Sequence, residues 1–533
     1  MRAFPIAVLL AGAVFCQTSK RPASFEAADV HVSAPVRNPY MRGPRIHNDR
    51  YEIRNANMVD LTATAYGVDK DKVIGGPIWL EMDRYDVLAK MPPRTDRAMQ
   101  NAMLQVLLAD RFKLVIHHGN ALVPAYALTV VKPGLLKKSD GSGNGFCRFE
   151  LPNRTGQADA PGDFERCSNI TMAKFAEQLP RSGAAGQYLN QHIVVDQTGL
   201  EGNWDFSFHY TWRLLPGQGE TTTLFDALEK QLGLKLAFTK ATLPVIIVDS
   251  VNEKPTDDLP NIGEILKIPP PPTEFEVAVV KPSAPGERSG IRIGFGGALT
   301  VSGITLRNLI RIAWNLPDEL IFGEPSWTDD TRFDIIAKGT TDNPADAPLI
   351  DIDTTWTMLR SLLQERFQMK THTEERMMKA YNLAAVKPKL KKADPASRTW
   401  YREGPGPDGK DPRNKNPLAS RLITVQNMTM AQFAAKLPVI ASGYITSPVV
   451  DATGIEGAWD FTLSFSPAGL DQFVSRSARG GDTAGAVPQA SDPSGVIPLP
   501  EALEKQLGLR LETVKRMVPV LVIDHIEPKP IEN

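Results

Sequence analysis

The sequence predicts an α+β protein made of two tandem homologous units, and three observations support this prediction. The 533 residues suffice for several domains, 42% of them are hydrophobic and 23% are charged as in globular proteins, and long blocks of sequence occur twice. The net charge of −1 offers no excess of positive charge to a polyanion. A folded, multidomain protein that does not bind nucleic acid is therefore expected.

The first predicted element is an export signal over residues 1–20. A positive pair, Met1-Arg2, precedes an almost wholly apolar stretch that ends at Phe15. The chain is therefore expected to be exported to the periplasm or the exterior. No later apolar run reaches the ~20 residues of a transmembrane helix, so none is predicted in the mature chain. The alternative is a lipoprotein with Cys16 as lipid acceptor, which the bulky Phe15 disfavours.

Cys147 and Cys167 are the cysteines that follow the signal. They flank one stretch rich in Gly, Asn and Asp, and an exported protein meets an oxidising environment, so we expect a disulfide between them. Two free thiols are the alternative. Zinc is not expected because the two cysteines lack the paired spacing of structural zinc ligands. No metal and no cofactor is predicted.

Duplicated blocks define the domain organisation. They keep their order along the chain and comprise three pairs: residues 51–90 with 299–338, VVDQTGLEGNWDF at 194–206 with VVDATGIEGAWDF at 449–461, and ALEKQLGLKL at 227–236 with ALEKQLGLRL at 502–511. Unit one is therefore predicted over residues 25–251 and unit two over residues 275–527. A Pro-rich linker, residues 252–274, joins them.

Each unit is predicted to contain about four α-β-β elements, with the helices packed against small sheets. Thr171 is the expected N-cap of one helix, and Gly233 is the expected C-cap of another. The strands that follow three helices of unit one are expected in pairs, at residues 112–116 and 126–131, 193–196 and 204–208, and 234–238 and 245–248.

Several long segments carry a resemblance to a known family. They are FEVAVVKPS (275–283), the block 300–338, MLRSLLQERFQMKTHTE (358–374), VVDATGIEGAWDF (449–461) and EALEKQLGLRLE (501–512). The chain resembles the paralogous family of uncharacterised exported proteins expanded in Solibacter-type soil Acidobacteria. Unit one departs at its start, where Phe25-Glu26 is not followed by the Lys-Pro-Ser ending. The family carries no established activity to transfer.

The resemblance implies a binding or receptor role. In some relatives a similar module is attached outside the membrane to a sensor-type metallopeptidase, whereas this chain has no HExxH motif. The α-β-β elements are also similar to the short N-terminal domains of secretins and TonB-dependent receptors, most closely at residues 227–251. That similarity implies a role in assembly or signalling by fold analogy.

No catalytic residue is predicted, because GxSxG, HExxH and GxxxxGK[ST] are missing from the sequence. Candidate ligand-binding residues are those that recur at equivalent places in the two units: Trp79 and Trp327, Arg84 and Arg332, and His117 and His372. The Trp and Arg residues suit a glycan or peptide surface, and the histidines suit a ligand contact or a pH-sensitive group. The alternatives are turn-anchoring tryptophans and exposed histidines at strand ends.

Acidic residues also recur around the segment 196–205. Asp205 and Asp460 suit acid-base chemistry or calcium binding. The alternative is a hairpin in which Asp196 and Thr198 bind turn amides and Gly199 adopts a positive φ.

The sequence thus predicts an exported, non-enzymatic tandem binding or sensory module for an envelope or extracellular ligand, which is a glycan, a peptide or a protein. Duplication supports this prediction because two copies raise avidity when both engage. An envelope-assembly adaptor of the secretin-domain type and a hydrolase of envelope polymers are the alternatives.

Overall fold

A computed structural model describes most of the chain. The described residues are 24–33, 40–47, 49–150, 163–182, 185–190, 192–211, 222–266, 272–284, 286, 288–339, 350, 352–406, 409–416, 418–470 and 495–531. The predicted export signal, residues 1–20, and most of the Pro-rich run in the linker lie outside them. The described part is a mixed α+β protein with two similar units, small sheets and a few helices.

Each unit consists of two halves with the same order of strands and helices, apart from one additional short helix in the second half of unit one. The first half of unit one contains β1 (Ala27–Val32), β2 (Arg42–His47), β3 (Arg50–Ala56), α1 (Met58–Tyr66), β4 (Val73–Gly75), β5 (Tyr85–Lys90), α2 (Arg97–Phe112) and β6 (Val115–Val130). The second half contains β7 (Lys137–Lys138), β8 (Phe146–Glu150), β9 (Asp163–Ile170), α3 (Met172–Gln178), α4 (Ala185–Leu189), β10 (Ile193–Asp196), β11 (Trp204–Tyr210), α5 (Leu224–Ala227) and β12 (Leu234–Ser250).

A short helix, α6 (Ile262–Leu266), lies in the linker, and unit two then repeats the order. Its first half contains β13 (Val277–Pro282), β14 (Gly290–Ile293), β15 (Leu299–Thr305), α7 (Leu306–Trp314), β16 (Ile321–Phe322), β17 (Arg332–Lys338), α8 (Ile352–Arg366) and β18 (Lys370–Ala385). Its second half contains β19 (Lys391–Lys392), β20 (Trp400–Glu403), β21 (Arg421–Thr429), α9 (Met430–Ile440), β22 (Val449–Asp451), β23 (Ala458–Phe465), α10 (Leu499–Ala502) and β24 (Leu509–His525).

Every half forms one antiparallel sheet of the same topology. The strand orders are β1-β5-β3-β2, β7-β11-β9-β8, β13-β17-β15-β14 and β19-β23-β21-β20. In each sheet the last strand inserts between the first and third strands, and a helix precedes it in the chain. The helices bury their apolar faces against these sheets, which gives one hydrophobic core for each half.

A further sheet joins the two halves of each unit. In unit one the strand order is β10-β6-β12-β4, and in unit two it is β16-β24-β18-β22. The long strands β6 and β12 are antiparallel, whereas short β4 pairs in parallel with β12 and short β10 pairs in parallel with β6. Each half therefore adds its short strand to the long strand of the other half, which interlocks the halves.

The long strands correct one part of the sequence-based prediction. Residues 112–116 and 126–131 were expected to form two strands, but a single strand spans Val115–Val130 and Phe112 ends helix α2. Likewise one strand, Leu234–Ser250, replaces the pair at 234–238 and 245–248. The reason is mutual pairing: the middle of each strand lies opposite the middle of the other, so no turn is needed to satisfy its backbone groups.

Helix ends follow the predicted capping chemistry. The Thr171 hydroxyl accepts a hydrogen bond from the Lys174 amide at 3.2 Å, and Gly233 closes the helical turn after α5 with φ of 69°. Equivalent N-caps precede the corresponding helices in the other halves, at Asn57, Thr305 and Thr429. The capping residues therefore fix where these helices begin.

The predicted turn after Asp196 is present, but it does not form a hairpin. Asp196 accepts the Thr198 amide at 2.9 Å, and Gly199 has φ of 66°. The strands on either side belong to different sheets, because β10 pairs with β6 whereas β11 pairs with β9. The turn therefore carries the chain from the joining sheet into the sheet of its own half.

Candidate functional site

All four halves contain the same irregular strand residue held by an Asp carboxylate, close to several of the predicted site residues. Two positions before each helix N-cap, a residue with positive φ interrupts the strand, and its amide donates to an Asp carboxylate. The pairs are Asn55 with Asp86 at 2.8 Å, Asn169 with Asp205 at 2.7 Å, Gly303 with Asp334 at 3.0 Å, and Asn427 with Asp460 at 2.9 Å. These hydrogen bonds account for the recurring Asp205 and Asp460 carboxylates.

The predicted Arg84 and Arg332 bind two of these irregular residues. The Arg84 guanidinium donates to the Asn55 carbonyl at 3.0 Å, and Arg332 donates to the Gly303 carbonyl at 2.7 Å. Each Arg and its neighbouring Asp therefore bind the carbonyl and the amide of one irregular residue. This role in backbone geometry is shared by both units.

The predicted tryptophans lie close in sequence to these arginines but have different partners. Trp79 packs against the first core of unit one, and Trp327 packs against the equivalent core of unit two. Both are half-buried in short helical turns. The structure thus directs the Trp and Arg side chains to separate tasks, core packing and backbone support.

The predicted histidines each face an Asp across the long strands. His117 Nδ1 lies 2.8 Å from Asp249, and His372 Nδ1 lies 2.9 Å from Asp524. All four side chains are exposed. The hydrogen bond to Asp524 raises the pKa of His372, and a second carboxylate, Glu374, adds to the effect. These exposed His–Asp pairs can exchange protons with the solvent or contact a ligand at the surface.

The predicted cysteine pair is present as a disulfide. Cys147 on β8 lies directly opposite Cys167 on β9, and the two are bonded. The bond fixes the edge strand of the second half of unit one.

A cluster of charges missed by the sequence analysis lies where the two units meet. In unit one, Asp71 accepts a hydrogen bond from His192 at 2.7 Å. Arg402 of unit two binds Asp71 at 3.1 Å and Glu81 at 2.7 Å, and Arg398 lies 3.5 Å from Glu81. Because Asp71, Glu81 and His192 are largely buried, this cluster is a specific contact between the units.

The backbone contributes to the same contact. Arg398 donates to the Val73 carbonyl at 2.9 Å, and the Thr399 amide donates to the Ile78 carbonyl at 2.9 Å. The Arg402 guanidinium also stacks on Trp400, with 4.8 Å between its central carbon and the ring centroid. No signal in the sequence indicated this cluster, because its members are far apart in the chain and belong to different units.

Lowering the pH is expected to weaken this contact. Burial alone raises the pKa of Asp71, but the hydrogen bond from His192 and the charge of Arg402 outweigh it, so the pKa lies below its usual value of 3.8. A lowered pKa means that the carboxylate stabilises the contact above about pH 4 and that this contribution is lost as the pH falls through the pKa in the folded protein. Calorimetry between pH 7 and pH 3 measures it.

The Asp71→Asn variant is the control for that experiment. Its unfolding should depend less on pH below 4 than that of the parent chain, and equal dependence would contradict the assignment. Asp83, also in unit one, has the opposite behaviour. Burial and a hydrogen bond with Glu253 raise the pKa of Asp83. The stability that its protonated carboxyl contributes to the folded chain is therefore lost as the pH rises. The two groups are therefore distinguished by the sign of the pH effect.

The outer faces of the first sheets differ between the two units. In unit one, Ala27 and Leu88 lie under the linker helix α6 and contact Leu266, so Leu88 is 9% exposed. The equivalent residues of unit two are Val277 and Ile336, which are 58% and 61% exposed. Unit two therefore presents, uncovered, an apolar surface that unit one covers with its own chain.

Among the described residues, no three His, Cys, Asp or Glu side chains are placed to hold a metal ion. The same residues contain no helix with the length and apolar character that crossing a membrane requires. A family model described as "Protein of unknown function (DUF3738)" matches residues 59–251 and 307–526, one match in each unit. No curated protein and no solved structure matches the sequence.

Proposed function

The chain belongs to the DUF3738 family of proteins of unknown function, and on this premise we propose that it is an exported two-unit binding module. Its ligand is a protein, which docks on the outer face of strands β13 and β17 in unit two. We call this surface the open sheet face and define it by Val277, Val279 and Ile336. The observation that carries the proposal is the contrast with unit one, where α6 covers the equivalent face.

The open sheet face is a small cluster of aliphatic side chains, with exposed Lys338 opposite Val277 at its edge. Val279 lies directly opposite Ile336 in the register of β13 and β17, and Val277 lies two residues along the same face. The three side chains are 58%, 41% and 61% exposed, in the order Val277, Val279, Ile336. Contiguous apolar surface of this kind is typical of interaction sites. An aliphatic face favours a protein ligand over a glycan, which stacks on aromatic rings.

Unit one shows what kind of segment fits such a face. Helix α6 presents Ile262 and Leu266, which lie four residues apart and hence on one side of a helix. Before the helix, Asp258 forms an ion pair with Arg111 at 2.7 Å. Arg366 is the equivalent arginine in unit two. It donates a hydrogen bond to the main-chain carbonyl of Ala278, just as Arg111 donates to the main-chain carbonyl of Ala28. The partner is therefore a short amphipathic helix that follows an acidic residue.

A peptide from the linker tests this proposal directly. A fluorescein-labelled peptide of residues 256–268, TDDLPNIGEILKI, is titrated with the full chain, and anisotropy reports binding. The Ile336→Lys variant is expected to bind the peptide at least tenfold more weakly, because it places a charge in the centre of the apolar face. A peptide with Lys at the Ile262 and Leu266 positions should not bind.

The matched control is Leu122→Lys, which replaces another exposed aliphatic side chain, 66% exposed on strand β6 of unit one. It should bind the peptide as the parent chain does. Two results would overturn the proposal: no binding at millimolar peptide, or equal affinity of the Ile336→Lys and Leu122→Lys variants. Equal unfolding temperatures of the two variants establish that folding is unaffected.

A further inference from the structure

The contact between the two units joins two different surfaces. Unit one contributes Asp71 and Glu81, which we call the acidic face. Unit two contributes the start of strand β20, where Arg402 stacks on Trp400, and we call this the arginine edge. Because the surfaces differ, one copy of each remains outside the contact: the arginine edge of unit one and the acidic face of unit two.

The arginine edge recurs in unit one. In β20, Trp400 pairs with Gln426 and Arg402 with Thr424, and in β8, Phe146 and Arg148 pair with the equivalent positions of β9. Arg148 stacks on Phe146 with 4.5 Å between its central carbon and the ring centroid, close to the 4.8 Å of Arg402 and Trp400. Arg148 is exposed. Unit one therefore repeats the aromatic-supported arginine that unit two uses against unit one.

The acidic face recurs in unit two. In the gapless alignment of residues 51–90 with 299–338, Asp71 corresponds to Glu319 and Glu81 corresponds to Asp329. Both residues are exposed, and the Asp329 side chain is 50% exposed. The acidic character is therefore retained at both positions on a surface that is accessible in unit two.

We propose that these two remaining surfaces bind each other between molecules, so that the chain associates head to tail. The arginine edge of unit one in one molecule docks on the acidic face of unit two in the next. A contact between two different surfaces does not close on itself, so it propagates into linear assemblies unless its rotation forms a ring. The occupant of each surface is a second copy of this chain. The open sheet face takes no part in this contact.

The intermolecular contact is weaker than the one inside the molecule. Inside the molecule, the linker holds the units at an effective concentration on the order of millimolar. Between molecules, Asn144 stands at the position of Arg398, and Arg307 already binds Asp329 at 2.8 Å. Association is therefore expected at protein concentrations on the order of 0.1–1 mM. It also requires low salt, because at 0.1 M salt the attraction between exposed charges is screened beyond about 10 Å.

Sedimentation velocity of the mature full chain tests the proposal. At 20 mM salt, the weight-average sedimentation coefficient should rise with protein concentration, and 0.5 M salt should abolish the rise. The Arg148→Glu variant and the Glu319→Lys/Asp329→Lys variant should each sediment as monomers at every concentration. Lys138→Glu, which reverses an exposed charge on β7 at the opposite edge of the same sheet, is the control and should associate as the parent chain does.

A mixture of two neutralised variants gives the sharpest result. The Arg148→Ala chain keeps the acidic face of unit two, and the Glu319→Ala/Asp329→Ala chain keeps the arginine edge of unit one. Their mixture should form dimers and nothing larger, because the two surfaces left unpaired on each dimer are neutralised and carry no opposite charges. A sedimentation coefficient independent of concentration up to 1 mM overturns the proposal, and so does association that neither variant reduces.

Discussion

Replacing Glu81 with alanine is expected to uncouple the two units and to cost about 3–5 kcal/mol of the stability of their contact. The Glu81 side chain is 8% exposed and lies between Arg398 and Arg402 of unit two, at 3.5 Å and 2.7 Å. Its removal leaves two neighbouring guanidinium groups without their shared carboxylate. An uncompensated charge in a largely buried contact costs far more than the loss of a surface ion pair.

Differential scanning calorimetry measures this effect. The parent chain should unfold with its units coupled, whereas Glu81→Ala should show two separated transitions, with one at a lower temperature. Asp329→Ala is the matched control, because Asp329 is the equivalent residue of unit two and its ion pair with Arg307 is exposed. The control should change stability by no more than about 1 kcal/mol. Equal effects of the two variants would contradict the role of Glu81.

Asp86→Ala is expected to destabilise unit one by about 3–4 kcal/mol. Asp86 accepts hydrogen bonds from the Ser33 hydroxyl at 2.5 Å, from the Asn55 amide at 2.8 Å and from Arg54 at 3.1 Å. Its loss leaves a buried amide without an acceptor at an irregular position of β3, and each such group costs about 1–3 kcal/mol. For a unit of this size, the melting temperature should fall by roughly 10 °C.

Thermal unfolding monitored by circular dichroism measures this loss. Asp249→Ala provides the control, since that aspartate is exposed and pairs with His117 at the surface. Its melting temperature should stay within about 3 °C of the parent value. The same large loss is expected for Asp334→Ala in unit two, which removes the acceptor of the Gly303 amide. A small change in melting temperature for both Asp86→Ala and Asp334→Ala would show that the irregular residues do not need their carboxylates.

Local chemistry was predictable from the sequence alone. Thr171 caps its helix, Gly233 ends the turn after α5, and Asp196 binds the amide of Thr198, as predicted. Each of these features involves groups within a few residues of each other. The side chain and backbone that form them are therefore adjacent in the chain, and the sequence pattern shows both at once.

The duplication within each unit was a subtler signal. An aromatic residue followed by Asp occurs before an apolar residue in each half, at 85–86, 204–205, 333–334 and 459–460, and these are the carboxylates that bind the irregular residues. The two residues alone are too short a pattern to stand out. The sheet topology, which is the same in all four halves, makes the pattern evident.

For the candidate site, the sequence identified residues retained in both units but not their partners. Arg84 supports a backbone carbonyl, Trp79 packs on a core, and His117 faces Asp249. Recurrence in two units shows that a position is constrained, but residues with a structural role and residues that bind a ligand are both expected to recur. The partner of each side chain decides between them, and that partner lies on another strand.

The sequence by itself determined the two units, their order and the capping of the helices, because each depends on matching blocks or on neighbouring residues. It also indicated the disulfide partners, because Cys147 and Cys167 are the two cysteines that follow the predicted export signal. Only the tertiary structure decided that the long strands run unbroken, that the halves exchange short strands, and that Glu81 meets Arg398 and Arg402. These features join segments that are distant in the chain. Their stability comes from backbone pairing and charge burial across the fold, and neither leaves a local pattern in the sequence.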